Sequence, residues 1–324
     1  MKKNIAIVAG GDSSEWVVSM KSAKGLSTFI DAEKYNIFIV TIREGQWNVV
    51  LNDNSKAYID KNDFSFESDD EKIKFDFAYI TIHGTPGENG ILQGYFELVG
   101  VPYSCCGVLA AALTFNKYVC NRYLSGFDIK VAKSVLLCQY QTKHTSEILA
   151  EVGLPCFVKS NVGGSSFGVS KVKDASEMQM AIENAFGEGH EVIIESFISG
   201  TEVTCGCYKT KQKSIVFPIT EVVSKNEFFD YEAKYNAEKA DEITPARISQ
   251  ELTQLIQNRT SEIYDLLDCK GIIRADYIIA DDGVYLLEVN TTPGMTATSF
   301  IPQQVEAAGL NIKDVMTDII ENEL

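Results

Sequence analysis

Along the first hundred residues, short apolar runs alternate with helix-like stretches: "NIAIVAGG", a helix over Trp16 to Ile30, "YNIFIVTI", "FDFAYITIHG", a helix near Leu92 to Leu98, and "VPYS". Strands interleaved with crossover helices predict a parallel, doubly wound α/β domain. Its ligand-binding edge should lie where strands end, at Gly10 to Glu15 and at His83 to Gly90. From Gly107 the pattern predicts one helix through "VLAAALTFNKYVCNRYL", a strand in "AKSVLLCQ", a further helix, and two strands around a glycine-serine loop in "LPCFVKSNVGGSSFGVSKV". A helix over Ala175 to Phe186 and the strand "EVIIESFI" follow. "TEVTCGCYKTKQKSIVFPITEVV" then alternates as an antiparallel sheet does around a lysine-rich turn. The polar, aromatic stretch from Ser224 to Ala246 has no clear periodicity, which predicts a lid or binding loop. A helix over Gln250 to Leu267, a hairpin and one C-terminal helix complete the pattern.

The hairpin, "RADYIIADDGVYLLEVNTTPGM", carries polar groups inside two apolar runs. If Asp281, Asp282 and Gly283 form a three-residue turn, pairing is symmetric about Asp282. Asp276 then faces Glu288 and Arg274 faces Asn290, all on one side of the sheet. Tyr277, Ile279, Leu287 and Val289 should cover the other side, with Ile278 and Leu286 sharing the polar one. Two carboxylates and an amide oxygen converging in this way suit Mg²⁺ or Mn²⁺, with substrate phosphates completing the shell. The competing reading is a solvated sheet face.

Other stretches carry weaker signals. In "KSNVGGSSFG" the glycines let backbone N–H groups approach phosphate oxygens, Ser165 and Ser166 add donors, and Lys159 adds charge. The loop is not a Walker A motif, and a glycine-serine hairpin alone is more often only a turn. Lys117 on a helix also fits a solvated face. Glu195 and Glu202 flank an apolar stretch that suits an adenine slot, or an amphipathic strand and bend. "GGDSSE" offers Ser13 or Ser14 as a helix N-cap and places Glu15 at the domain edge, near an ammonium group of a substrate.

Composition narrows the classes. With 324 residues, 45% hydrophobic and 23% charged, the chain has room for two or three globular domains. A net charge of -16 argues against nucleic acid or an anionic membrane as partner, so any phosphate must be held locally. No run reaches the roughly 18 to 20 apolar residues of a membrane span. The first residues, "MKKNIAIVAGGDSSE", lack a signal-peptide h-region. Eight cysteines without a C-x-x-C pair point to reduced thiols in the cytoplasm. Three scattered histidines, His83, His144 and His190, argue against zinc and for a hard metal bound by oxygen.

In order and at these separations, "VAGGDSSE", "TIHGTPGENGILQGYFELVGVPYS", "KSNVGGSSFGVSKV", "FFDYEAKY", "RADY" and "LLEVNTTPGMT" resemble the D-alanine:D-alanine ligase family of the ATP-grasp superfamily. The match spans essentially the whole chain, and "YEAKY" and "EVNTTPGMT" carry most of its specificity. The resemblance implies a three-domain ATP-grasp fold of α/β and α+β type: an N-terminal domain over 1–103, a central lobe over 104–193 and a C-terminal lobe over 194–324. It implies that ATP phosphorylates the carboxylate of one D-alanine and that the amine of a second attacks the acyl phosphate, supplying peptidoglycan precursors. A homodimer is usual in the family.

Carried onto this chain, the resemblance assigns Asp276, Glu288 and Asn290 to two Mg²⁺ or Mn²⁺ ions, and Lys117, Lys159 and Ser166 to the phosphates of ATP. Glu195, Phe197 and Ile198 would line the adenine slot, and Glu202 would take the ribose. Arg274 and the N–H of Gly294 would stabilise the oxyanion. Glu15, with His83 nearby, would hold the first D-alanine, and Ser299 with Phe300 the carboxylate of the second. Lys234 and Tyr235 fall in the lid, where Lys234 would bind ATP and Tyr235 would join Ser165 and Glu15 to seal the site against water. Two departures stand out: Trp16 and Val17 follow Glu15 where the family often has a charged or polar residue, and Ser160 follows Lys159 where proline is common. The Lys-Tyr pair of the lid resembles the dipeptide-forming members rather than those making D-alanyl-D-lactate. The rival readings are an ATP-grasp ligase for another carboxylate and amine, and a nucleotide-binding sensor without turnover.

Overall fold

The computed structural model describes residues 2–51, 55–140, 143–164, 168–224 and 240–324. Ser165, Ser166, Lys234 and Tyr235 lie outside the described residues. The first sheet is built around the strand Lys3–Gly10, which runs parallel to Tyr35–Arg43 on one side and Phe77–Ile80 on the other. Its residues 5–10 are buried, as a central strand covered on both faces requires. The expected parallel core is present, with an edge that alternation alone did not reveal: Gln46–Val50 and Lys56–Tyr58 add on antiparallel. The turn that reverses the chain is the pair Glu44 and Gly45, with φ of 50° and 75°. Two successive left-handed residues twist a tight hairpin correctly. The helix Trp16–Phe29 starts from Glu15 as N-cap residue, and no side chain caps it. Neither Ser13 nor Ser14 is the N-cap; Ser13 instead donates from Oγ to His83 O at 2.8 Å, tying together the two strand ends that face the cleft.

A four-stranded antiparallel sheet follows, in the order Ser170–Val172, Cys156–Ser160, Glu191–Ser196 and Ser134–Cys138. Val135, Val158 and Ile194 pack on its helix-covered face with Ile148 and Met178. Phe157, Lys159 and Glu195 therefore project from the other face. The single helix expected from Gly107 is two, Val108–Phe115 and Lys117–Ser125. The break lies at Asn116, whose extended backbone and side chain, accepting from Val119 N at 3.0 Å, cap the second helix. Lys117 is thereby moved from mid-helix to a helix start. The C-terminal helix is likewise two, Phe300–Ala307 and Ile312–Glu323, separated at Gly309 with φ of 69°.

The third sheet runs in the order Ala240–Ile243, Thr220–Ser224, Thr201–Lys209, Ile272–Ala280 and Gly283–Asn290, with Ser214–Val216 paired to Thr201–Lys209. The helix Gln250–Leu266 covers its back through Ile256, Ile263 and Tyr264, against Cys205, Cys207 and Tyr277. In the last hairpin Asp276 pairs with Glu288 and Arg274 with Asn290, as the sequence arithmetic expects. The route to that register differs. Ala280 pairs with Gly283, so the turn has two residues, and a shift between Asp276 and Tyr277 leaves Leu287 as the extra residue of a bulge. Leu286 and Leu287 consequently exchange their expected sides: Leu286 pairs with Tyr277 in the core, and Leu287 lines the cleft beside Glu288.

The N-terminal domain and the C-terminal helices share one core, in which Ile5, Leu26 and Phe77 meet Ile301, Val305, Met316 and Ile319. Approach is so close that a side chain at Gly25 would collide with the carbonyl of Met295. This packing holds the loops of the first domain over the hairpin face. All eight cysteines are free thiols. No helix among the described residues is long and apolar enough to cross a membrane.

Candidate active site

The three sheets enclose a cleft of about 1670 Å³. Its floor is the polar face of the last hairpin. Arg274 grips Asp276 with two bonds, Nε to Oδ1 at 2.8 Å and a terminal nitrogen to Oδ2 at 2.7 Å. Thr204 Oγ1 donates to Asp276 Oδ1 at 2.6 Å, and Asn290 Nδ2 to Oδ2 at 3.1 Å. Burial alone would lower the Arg274 pKa, yet Asp276, with Glu288 and Glu88, carries it above its ordinary value. The guanidinium lies over the Phe300 ring, 5.3 Å from its centroid.

Glu288 is reached by Lys117 Nζ at 3.5 Å, and the same nitrogen donates to Gly163 O at 2.6 Å. Lys117 N bonds Asn161 O at 3.1 Å, so the helix break at Asn116 sets this lysine against the glycine loop. Lys159 Nζ sits 2.6 Å from Glu195 Oε2, while Asn121 Nδ2 donates to Glu195 Oε1 at 3.3 Å. Desolvation would lower the Lys159 pKa, but Glu195 above all, then Glu288 and Glu202, raise it, so the ammonium is retained inside the cleft. Glu195 thus orients a lysine, a role its sequence position did not suggest. Phe197 lies 5.9 Å from Phe157, centroid to centroid, with Lys171 Nζ 3.9 Å over its ring. This aromatic corner suits a flat ligand.

On the roof, Glu15 and His83 are buried. A Cβ at Gly164 would stand 2.8 Å from Glu15 Oε2, so only glycine lets the loop lie this close to the carboxylate. Among the described residues His83 Nε2 is buried without a hydrogen-bond partner, whereas buried polar atoms ordinarily have one. Glu88 is the residue the sequence reading missed. It accepts from Thr292 Oγ1 at 2.6 Å and from Gly84 N at 2.6 Å, clasping the first domain to the hairpin's exit loop. Burial raises its pKa, against the charge of His83. Its signal was its place in "HGTPGENG", within the strand-end loop already expected to bind ligand. At the far end, Ser299 Oγ accepts from Thr296 N at 3.0 Å, close to Gly294.

The donor set fits Mg²⁺ or Mn²⁺. Glu288 offers carboxylate oxygens, and rotating the Asn290 amide by half a turn presents its oxygen and frees one lone pair of Asp276 Oδ2, whose other acceptor sites are taken by Arg274 and Thr204. Among the described residues no three His, Cys, Asp or Glu side chains cluster as a metal cage, so oxygens from substrate would have to complete the shell. Every expected site residue within the described ones lines this cleft: Glu15, His83, Lys117, Lys159, Glu195, Phe197, Ile198, Glu202, Arg274, Asp276, Glu288, Asn290, Gly294, Ser299 and Phe300.

Family models agree with the geometry: "D-ala D-ala ligase N-terminus" matches residues 4–106 and "D-ala D-ala ligase C-terminus" residues 124–321. The chain belongs to the D-alanine–D-alanine ligase family. It is 64% identical over 323 residues to the D-alanine–D-alanine ligase of Bacteroides fragilis, covering 99% of both chains. With that of Parabacteroides distasonis it shares 65% over 325 residues, 100% of this chain and 98% of the other. Among solved structures, a D-Ala:D-Ser ligase from Enterococcus faecalis aligns with a TM-score of 0.88 at 32% identity, over 100% of both chains. The Bacillus anthracis D-alanine–D-alanine ligase complexed with ATP aligns with a TM-score of 0.78 at 28% identity, over 99% of this chain and 97% of that one.

Proposed function

We propose that this ligase carries out its ATP-dependent joining of two D-alanine molecules on the face formed by Arg274, Asp276, Glu288 and Asn290, by way of an acyl phosphate. The convergence of three distant segments, the roof at Glu15 and His83, the lysine pair Lys117 and Lys159, and the hairpin floor, on one cleft is the observation that carries this reading.

Lys117 and Lys159 hold the phosphates of ATP, with Glu195 and Asn121 fixing Lys159 in place. Phe197 and Ile198 flank the adenine, and Glu202 takes the ribose. Glu15, beside His83, binds the ammonium of the first D-alanine, which turns its carboxylate toward the floor. Mg²⁺ or Mn²⁺, two ions held by Asp276, Glu288 and Asn290, would neutralise charge on the transferring phosphoryl group. Arg274 and the N–H of Gly294 stabilise the oxyanion formed when the second amine attacks the acyl carbon. Ser299 and Phe300 receive the second carboxylate, and phosphate leaves as the dipeptide forms. Ser165, Ser166, Lys234 and Tyr235 belong to the glycine-serine loop and the lid, where they hold phosphate and exclude water. We further assign the chain to the cytoplasm as a homodimer, without nucleic-acid or membrane partners, and divide it at 1–103, 104–193 and 194–324.

The test is direct. With ATP, Mg²⁺ and millimolar D-alanine, the protein should release phosphate only when D-alanine is present and form D-alanyl-D-alanine by mass spectrometry. D-alanine-independent release without dipeptide would count against the reading. Offering D-serine, D-lactate and other amino acids in the same assay separates this ligase from one with another nucleophile.

A further inference from the structure

A carboxylate that the reaction as described does not use stands at the end of the cleft assigned to the second amino acid. Glu242 lies on the strand Ala240–Ile243, in a row of side chains that crosses the sheet through Val222 and Glu202 to Ile278. It lines the cleft with them. Its Oε2 accepts from Gln303 Nε2 at 2.6 Å, and the same nitrogen donates to Thr298 O at 2.9 Å. Gln303 is one helical turn beyond Ser299, with its N–H 3.4 Å from Ser299 O. The carboxylate is therefore fastened to the loop and helix start that receive the second substrate. Burial pushes the Glu242 pKa up, and neither the Gln303 bond nor the charge of Arg274 offsets it. Arg274 is committed to Asp276 by two hydrogen bonds. A half-buried carboxylate whose charge is not fully compensated favours an arriving cation.

We propose that Glu242, fixed by Gln303, is a specificity-determining residue that selects an amine over a hydroxyl as the second nucleophile. It attracts the ammonium group of an incoming amino acid, which loses a proton to solvent before its lone pair attacks the acyl carbon and the C–O bond to phosphate breaks, and it gives no such advantage to the neutral hydroxyl of a 2-hydroxy acid. The inference rests on the reading that Ser299 and Phe300 receive the second substrate.

The experiment supplies the full chain with ATP, Mg²⁺, D-alanine and D-lactate together and measures the ratio of D-alanyl-D-alanine to D-alanyl-D-lactate by mass spectrometry. Both products arise from one acyl phosphate, so the ratio reports the second nucleophile alone. Glu242→Gln should lower the ratio about tenfold, the worth of one partly screened ion pair, with the KM for ATP unchanged. Glu242→Asp keeps the charge and should stay within about twofold of the wild type. If Glu242→Gln fails to fold, Gln303→Met, which releases the carboxylate, should lower the ratio to a smaller degree. A ratio unchanged in the folded variants, including a D-lactate product undetected in wild type and variant alike, overturns the proposal. A wild type that makes neither product contradicts the ligase reading instead.

Discussion

Thr292, on the loop that leaves the last hairpin, donates to Glu88 of the N-terminal domain across a 2.6 Å hydrogen bond spanning 204 positions of sequence. This bond joins the roof of the cleft to its floor. Because burial raises the Glu88 pKa above its ordinary 4.5, the folded chain holds that proton more tightly than the unfolded one. Stability contributed there is complete below pH 4.5 and is lost as pH climbs from 4.5 through the folded value. Glu88→Gln keeps the capacity to donate and accept and removes the titration. The variant should therefore gain stability relative to wild type as pH rises above 4.5, read as the difference in Tm across a pH series. A difference that is flat or falls with pH would contradict the assignment.

Gly164 has ordinary backbone geometry, and what restricts it is Glu15. Gly164→Ala places a Cβ 2.8 Å from Glu15 Oε2. A carboxylate at the end of a flexible side chain can yield, so stability should change by no more than about 0.5 kcal/mol. The displaced carboxylate should raise the KM for the first D-alanine several-fold and leave the KM for ATP alone. Equal effects on both KM values would show that the loop, rather than Glu15, was disturbed.

Glu288 lies on the cleft face of the hairpin, whose opposite face is the packed side. Glu288→Gln keeps the shape and removes the charge. Turnover should fall by at least about a hundredfold, with Tm shifting by no more than about 4 °C. A large loss of Tm with intact turnover would make Glu288 a structural residue.

Arg274 is asked to do two things, to hold Asp276 and to meet the oxyanion. Arg274→Lys preserves the charge but not the two-pronged grip, and Arg274→Ala removes both. The alanine variant should lose about 10² to 10³ in kcat, and the lysine variant should recover only part of it. If steady-state kinetics found alanine harmless, a nucleotide sensor would be the better description.

Much of this site was legible in the sequence, for reasons that differ by element. The glycine-serine loop and the hairpin acids sit in local motifs, and strand alternation alone puts Asp276 and Glu288 on one face. Their pairing, however, was reached through two compensating differences. The turn is shorter by one residue than expected, and the bulge at Leu287 restores the register. Nothing local announces that bulge, because it is set by Leu286 packing against Tyr277 in the core. The helix break at Asn116 was equally hidden: a continuous apolar pattern conceals a cap whose purpose, docking Lys117 on the glycine loop, is tertiary. The clasp of Glu88 on Thr292 and the grip of Glu195 on Lys159 depend on segments that meet only after folding. The antiparallel edge at Gln46–Val50 was hidden because its turn is Glu44-Gly45 rather than one of the Asn-Gly, Asp-Gly or Gly-Gly pairs that mark a two-residue hairpin.

The central claim is that one cleft activates a D-alanine carboxylate as an acyl phosphate and passes it to a second D-alanine. Supplying D-alanine labelled with ¹⁸O in both carboxylate oxygens, with ATP and Mg²⁺, tests it in one measurement. The account predicts that each phosphate released carries one ¹⁸O and that D-alanyl-D-alanine appears in equal amount. Phosphate without ¹⁸O would mean that the oxygen came from water, and it would contradict the account.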